Sequence, residues 1–161
     1  MDIFEITRIK LKKLGLRIVH SDLSRPWGGF FVIDESQAQQ FSDIYFEGLD
    51  FDPLRIRGKL SPKILLVKCK ARLSWQYHHR RAETWRVIEG PVGIVRSSTN
   101  EEGDMAIYQS EETIVLEKGE RHRLIGLDNW GIVAEFWQHT DLNHPSDEED
   151  IIRVQDDYNR A

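Results

Sequence analysis

The order of apolar and polar positions divides the chain into a short helical beginning and a long β-rich remainder. Over the first fifteen residues Ile3, Ile6, Ile9, Leu11 and Leu14 recur among Lys and Arg at helical spacing, and Gly15 ends the pattern. LRIVH at 16–20 reads as a short strand, and RPWGGFFVID at 25–34 as a turn followed by a second strand. Asp34 has the character of an N-cap, with Gln37 three residues on as the other half of a loose capping box. Ala38, Phe41 and Tyr45 follow at helical spacing, and Gly48 stops this second helix.

From Pro53 onward the pattern shortens to that of strands. LRIRG, KILLVKCKARLSWQYHH, ETWRVIEG, VGIVRSS, MAIYQ, ETIVLEKG, HRLIG and WGIVAEFWQH lie between turn signals. Many short strands with no helix between them predict an all-β, antiparallel barrel or jelly roll, not a parallel α/β fold. The last segment, from Pro145, reads as one short helix plus a tail. The expected organisation is an N-terminal extension over 1–24 and one domain over 25–161, without internal repeats.

Composition narrows the classes. A chain of 161 residues, 40% hydrophobic with five Trp and seven Phe, suits one globular domain. No apolar run approaches the ~20 residues that span a bilayer, and the N-terminus lacks the uninterrupted apolar stretch of a secretory signal. A cytoplasmic protein that does not enter membranes is expected. The single cysteine, Cys69, cannot form an internal disulfide, and its apolar surroundings predict a buried free thiol. With 27 acidic against 22 basic side chains, the net charge of −5 argues against a nucleic-acid partner. Basic residues crowd 55–86 and acidic ones 141–157; a locally basic pocket would suit a small anion, but charge alone favours stretches that pair with each other or face solvent. The apolar content of residues 1–24 exceeds what a lone helix hides, which predicts a homodimer with this extension in its interface.

The chemistry concentrates in two places. Gln76-x-His78-x4-Glu83 is followed by x6-Gly90, and later by Gly119-x-x-His122. Strand side chains alternate faces, so Gln76 and His78 point one way and Tyr77 and His79 the other. Glu83 shares its parity with Trp85 and Val87, whose side chains suit an interior, and Arg86 should face out. His122 comes in from a neighbouring strand. Each residue alone has a plain reading as a hydrogen-bonded core group. Together, as two imidazoles, one amide and one carboxylate, they suit one divalent ion, with zinc preferred and manganese, iron, cobalt or nickel open.

These residues carry a resemblance. The Gln-x-His-x4-Glu-x6-Gly and Gly-x-x-His spacings are similar to the two cupin motifs, with Gln76 in place of the first histidine. Leu73-Ser74-x-Gln76-x-His78-His79-x-Arg81-Ala82-Glu83-x-Trp85 resembles the cupin domain of type II mannose-6-phosphate isomerases. Arg25-Pro26-Trp27-Gly28 and the ending Glu148-x-Asp150-Ile151-x-Arg153 with Asp156-x-Tyr158-x-Arg160 match further motifs of that family. The likeness runs from Arg25 to Arg160. Departures are Arg80 and Thr84 where the family has histidine, Glu117 for proline, and Asn159 for glycine. Thr84 is taken to stand beside the metal. No G-x-G-T-R-type phosphate loop occurs, which excludes guanylyltransfer by these residues.

The resemblance implies a cupin jelly-roll barrel and a metal-dependent aldose–ketose isomerase acting on a sugar phosphate through an enediol. Mannose 6-phosphate and fructose 6-phosphate are the expected pair, with heptose and pentose phosphates as alternatives. Arginine recognises phosphate in a planar, bidentate way that lysine does not. Arg81 and Arg153 are therefore the candidate catalytic and substrate-binding residues, and Arg25 is a third candidate for the phosphate. A non-catalytic cupin that binds a sugar or its phosphate as a sensor is the competing class, followed by a metal-dependent oxygenase. No residue is singled out as general base.

Overall fold

In a computed structural model, residues 1–47, 49 and 59–160 are described. The anticipated helix stop at Gly48 and the strand LRIRG at 54–58 lie outside these residues. Helix α1 (Ile3–Lys13) is capped by Asp2, whose side chain accepts the Glu5 N–H at 2.8 Å, and Lys10, Lys12 and Lys13 sit near its negative end. The chain leaves it through Gly15 at φ +77°, a left-handed conformation suited to glycine. Strands β1 (Ile18–Arg25) and β2 (Gly28–Ile33) form a hairpin about Pro26 and Trp27. A Cβ on Gly28 would lie 1.9 Å from the Leu66 carbonyl oxygen, so close pairing of β2 with its next neighbour requires glycine here.

A single 3-10 turn at Glu35–Gln37 leads into helix α2 (Ala38–Tyr45). Asp34 caps this turn by accepting the Ser36 N–H at 2.9 Å. Gln37 does not complete a capping box. Its amide instead accepts the Arg17 N–H and donates to the Gly15 carbonyl, tying α2 to the end of α1.

The remaining strands are β3 (Lys63–Val67), β4 (Trp75–Tyr77), β5 (Arg81–Glu89), β6 (Val92–Ser97), β7 (Ala106–Tyr108), β8 (Thr113–Leu116), β9 (Arg121–Gly126), β10 (Gly131–His139) and β11 (Ile152–Gln155). They make two antiparallel sheets, ordered β1-β2-β3-β10-β5-β8 and β11-β4-β9-β6-β7. The fold is mostly β and cupin-like, as the motifs imply. Among the described residues the two sheets are not joined into one closed barrel.

Period-two alternation sorts the six-stranded sheet into two faces. Ile64 and Leu66 of β3, with Ile132, Ala134 and Phe136 of β10, meet Leu11 of α1 and Phe41 of α2 on one face. Leu65, Val67, Trp85, Val87 and Val133 fill the space between the sheets, against Val92, Ile94 and Leu124. Strand β3 is buried on both faces, which explains its uninterrupted apolar run. Leu11, Phe31, Phe41 and Phe136 are each 2% exposed or less. At roughly 1.5–3 kcal/mol per buried apolar side chain, the helices are an integral wall of this core. The boundary expected at residue 24 falls inside β1, whose partner strand lies in the six-stranded sheet. Ile9, Leu14 and Val19 remain exposed.

Four expectations are corrected. The stretch KILLVKCKARLSWQYHH is not one strand: after Val67 the chain turns and crosses from the six-stranded to the five-stranded sheet. Lys70 takes φ +66° in that corner and its N–H points at the Gly126 and Leu127 carbonyls. A Cβ on Gly126 would lie 1.8 Å from the Lys68 carbonyl oxygen, so the corner needs a bare glycine opposite it. Cys69 lies in this corner and is exposed, not buried. Thr84 points away from Glu83, toward Phe46 and Phe136 on the helix side of the sheet, because adjacent strand residues face opposite ways. The C-terminal helix is absent: Asp147 accepts the N–H groups of Glu149 and Asp150 to form a turn, and β11 then pairs with the edge of β4. Trp85 and Val87 do point inward, and Arg86 points out and donates to the Tyr45 carbonyl at 2.9 Å.

Candidate metal centre and its cavity

Gln76 on β4 and His122 on β9 are direct partners across the five-stranded sheet, His78 follows β4 by one residue, and Glu83 faces them from β5. All four side chains are buried. The His78, Glu83 and His122 ligand atoms lie within 4.8 Å of one another. His78 Nε2 is 3.3 Å from Glu83 Oε2, and His122 Nε2 is 3.4 Å from Glu83 Oε1.

The outer nitrogens set the tautomers. His78 Nδ1 lies 2.7 Å from the Asp150 carbonyl and His122 Nδ1 lies 3.0 Å from the Glu120 carbonyl. A carbonyl only accepts, so each Nδ1 carries a proton and each Nε2 is turned toward the centre. Burial, reinforced by Arg81 and His122 against the pull of Glu83, lowers the His78 pKa to about 3 and keeps it neutral. Burial resists ionisation of Glu83, but the charge of the Arg81 guanidinium beside it leads the influences that outweigh burial and hold the carboxyl well below its usual range. Glu83 Oε1 and His122 Nε2 are buried without a hydrogen-bond partner. Buried ligand atoms left without partners in this way are what a bound cation would engage. The donor set therefore fits a divalent metal.

Gln76 can join it. Its Oε1 accepts from Ser74 Oγ at 2.6 Å while its Nε2 is 3.4 Å from His78 Nε2. Turning the amide over places the oxygen toward the centre and lets the NH2 donate to the Ser74 hydroxyl, which accepts equally well.

Arg81 is buried beside the centre and is bonded into it. Its Nε donates to Glu83 Oε2 at 2.8 Å, its Nη1 to Ser146 Oγ and the Asp147 carbonyl, and its Nη2 lies 3.3 Å from His78 Nε2. The guanidinium also stacks on Trp137 at 3.6 Å from the ring centre. With its donors engaged in this way, it fixes one Glu83 oxygen and leaves the other open. The other two arginines line the adjoining cavity together with Arg160. Arg25 pairs with Asp22 at 3.1 Å, and Arg160 makes a bidentate pair with Asp156. Arg153 lies across from Gln76 in the β4–β11 register. Burial, then the nearby Arg160 and Arg25 charges, lower the Arg153 pKa against the pull of Asp156. Three arginine side chains, two of them paired with aspartates, thus share one cavity wall.

The cavity beside the ligand cluster has a volume of about 80 Å³ and opens to solvent. Gln76, Arg81 and Glu83 line its floor, and Trp27, Phe30, Trp85 and Trp137 its apolar walls. Lys63 and Glu148 pair beside it, and Glu135 lines it from β10.

Glu135, Lys63, Arg160 and Asp150 are the residues that spacing did not single out. A glutamate inside the apolar run IVAEFW was the available signal for Glu135. Asp150 and Arg160 stood within the quoted C-terminal motif without a role. Asp150 accepts from the His79 and Arg80 backbone N–H groups at 2.9 and 3.0 Å and from Ser146 Oγ at 2.6 Å. These bonds overcome the effect of burial and lower its pKa. They also seat the Asp150 carbonyl that orients His78. Asp150→Ala keeps that carbonyl but removes the side-chain bonds that seat it, and is expected to weaken metal binding by up to about 10-fold, the lower end of the cost of losing an outer-shell partner, as measured by competition with a metal-chelating dye.

Comparisons with known proteins place the chain in a family. The family model described as mannose-6-phosphate isomerase C-terminal matches residues 41–156. The chain belongs to that family. A mannose-1-phosphate guanylyltransferase of Salmonella montevideo is 26% identical over 155 residues, which are 96% of this chain and 27% of that protein. The xanthan biosynthesis protein XanB of Xanthomonas campestris is 29% identical over 143 residues, 88% of this chain and 24% of its own length. The chain thus spans about a quarter of these relatives. The capsular polysaccharide assembling protein CapF from Staphylococcus aureus superimposes with a TM-score of 0.54 at 16% identity, covering 87% of this chain and 32% of that one. Vicilin from hazelnut, Corylus avellana, gives 0.57 at 13% identity, covering 86% and 36%. These two likenesses concern the fold alone. The chain is a cupin-fold member of a family of sugar-metabolism enzymes. No described helix is long and apolar enough to cross a membrane.

Proposed function

We propose that this protein is a metal-dependent aldose–ketose isomerase for a sugar phosphate, with mannose 6-phosphate and fructose 6-phosphate as the expected pair. The observation that carries the reading is one cavity bordered by a metal-ligand cluster at its floor and by three arginines at its side. A divalent ion held by Gln76, His78, Glu83 and His122, zinc in the first instance, would supply Lewis-acid polarisation of the carbonyl and its neighbouring hydroxyl.

The protein's own groups do the rest. Arg25, Arg153 and Arg160 bind the phosphate and so fix which carbons lie over the cluster. Arg81, although expected to share this work, contributes by holding Glu83. Trp27, Phe30 and Trp137 cover the reacting carbons and keep water from the intermediate.

The test is turnover by metal-stripped and reconstituted protein across hexose, heptose and pentose phosphates, followed by NMR. Isomerisation that depends on added metal supports the reading. Full metallation with no turnover of any member refutes it. Tight calorimetric binding in that case would make the protein a sugar-phosphate-binding module instead.

A further inference from the structure

Isomerisation needs a group that carries a proton between adjacent carbons. Among the described residues, three carboxylates line the cavity: Glu83, Glu135 and Glu148. Glu83 is committed to Arg81 and the ligand cluster. Glu148, whose side chain is 55% exposed, is paired with Lys63.

Glu135 is only 4% exposed and sits on β10 directly across from Trp85 of β5. Its Oε2 accepts the Trp85 indole N–H at 2.8 Å, and its Oε1 accepts the Trp137 indole N–H at 2.9 Å. An indole nitrogen only donates, so neither partner competes for a proton. Each carboxylate oxygen has two acceptor positions and retains one beyond its indole bond. Two bonds from two rigid strands fix the plane of the carboxyl. A group held this way is oriented without being neutralised.

We propose that Glu135 is the general acid–base residue of this cavity, moving a proton between the carbon beside the sugar's carbonyl and its neighbour. The proposal rests on the isomerase reading. In the aldose-to-ketose direction the C2–H bond breaks and its proton goes to a Glu135 oxygen. The freed electron pair forms the C1–C2 double bond, and the carbonyl π pair moves onto O1. The O2 proton passes to O1, the C2 carbonyl forms, and Glu135 returns its proton to C1. C1 is reduced and C2 oxidised by the same two electrons, so no outside oxidant or reductant takes part. Burial, the largest influence on this carboxyl, raises its pKa, and a carboxyl made a stronger base by burial suits proton transfer from carbon.

The test compares metal-loaded wild type with Glu135→Gln. The readouts are metal content, calorimetric binding of fructose 6-phosphate, kcat and KM, and deuterium uptake at C1 and C2 from D2O. Glu135→Gln is expected to lower kcat by about 10²–10⁴-fold and to abolish deuterium uptake, with metal content, binding and KM nearly unchanged. Because Gln turns an NH2 toward one indole N–H, Glu135→Asp is read beside it and should keep binding with reduced but measurable exchange. A Glu135→Gln kcat within about tenfold of wild type overturns the proposal, as does failure of both variants to bind fructose 6-phosphate. If the wild type neither isomerises nor exchanges, the isomerase reading itself falls; if it does both and the Gln variant matches it, only Glu135 is displaced.

Discussion

His122→Ala is expected to release the metal while leaving the fold in place. His122 is the ligand from β9, and its Nε2 has no hydrogen-bond partner of its own. Removing it therefore breaks no ladder and leaves Gln76, His78 and Glu83 on their own strands. The loss should exceed the ~10–100-fold that accompanies deletion of an outer-shell partner, because a donor atom itself is gone. Elemental analysis after dialysis is the direct measurement. Thermal unfolding is the second, since an ion present at about 100 times its dissociation constant stabilises by about 2.7 kcal/mol. For a chain of this size that corresponds to roughly 5–10 °C. Wild type should lose that increment on adding a chelator, and His122→Ala should show none. Wild type that carries no metal under any loading condition would refute the metal centre.

The part of the fold that could be read in the sequence is the part governed by alternation within one strand. Glu83, Trp85 and Val87 fall on one face and Arg86 on the other because the period is two, and no tertiary contact alters that. The same rule, applied one residue further, places Thr84 on the helix side. Its departure from the family pattern therefore does not reshape the wall beside the ligands. What could not be read is where a strand leaves its sheet. KILLVKCKARLSWQYHH is apolar enough to run on as one strand, and only the approach of Gly126 to the Lys68 carbonyl makes the corner at Cys69. Strand β11 was hidden for a related reason. SDEED resembles a helix start, yet Asp147 bonds to the backbone locally and the edge of β4 supplies the pairing.

The site divides similarly. Spacing brings Gln76, His78, Glu83 and His122 together because three short strands suffice to do so. It did not distinguish the arginines, whose roles depend on what surrounds each. Arg81 has Glu83, Ser146 and Asp147 for its donors and a tryptophan for its face, so it stiffens the ligand set. Arg25 on β1 is far in sequence from Arg153 and Arg160, and the pairing of β11 with β4 sets the C-terminal segment beside the cavity that Arg25 also lines. Glu135 was overlooked because a carboxylate inside an apolar strand has meaning only once its two indole donors are known.

Arg153→Ala then separates phosphate recognition from metal binding. Arg153 belongs to the β11 strand opposite Gln76 and is not among the ligands, so the variant should carry as much metal as wild type. A hydrogen bond to a charged group contributes about 1.5–3 kcal/mol. Its loss should lower kcat/KM for a sugar phosphate by about ten- to a hundred-fold. The unphosphorylated sugar gains nothing from the guanidinium, so its much weaker turnover should hardly change. Arg81→Ala should behave differently. It takes away the donor that holds Glu83 Oε2 and leaves a buried carboxylate less compensated. Metal affinity should fall along with activity, for sugar and sugar phosphate alike. The contrast is decisive because both variants remove the same charge from the same cavity. If Arg153→Ala also loses metal, or discriminates no differently against the sugar without its phosphate, the arginine cluster is not the phosphate site.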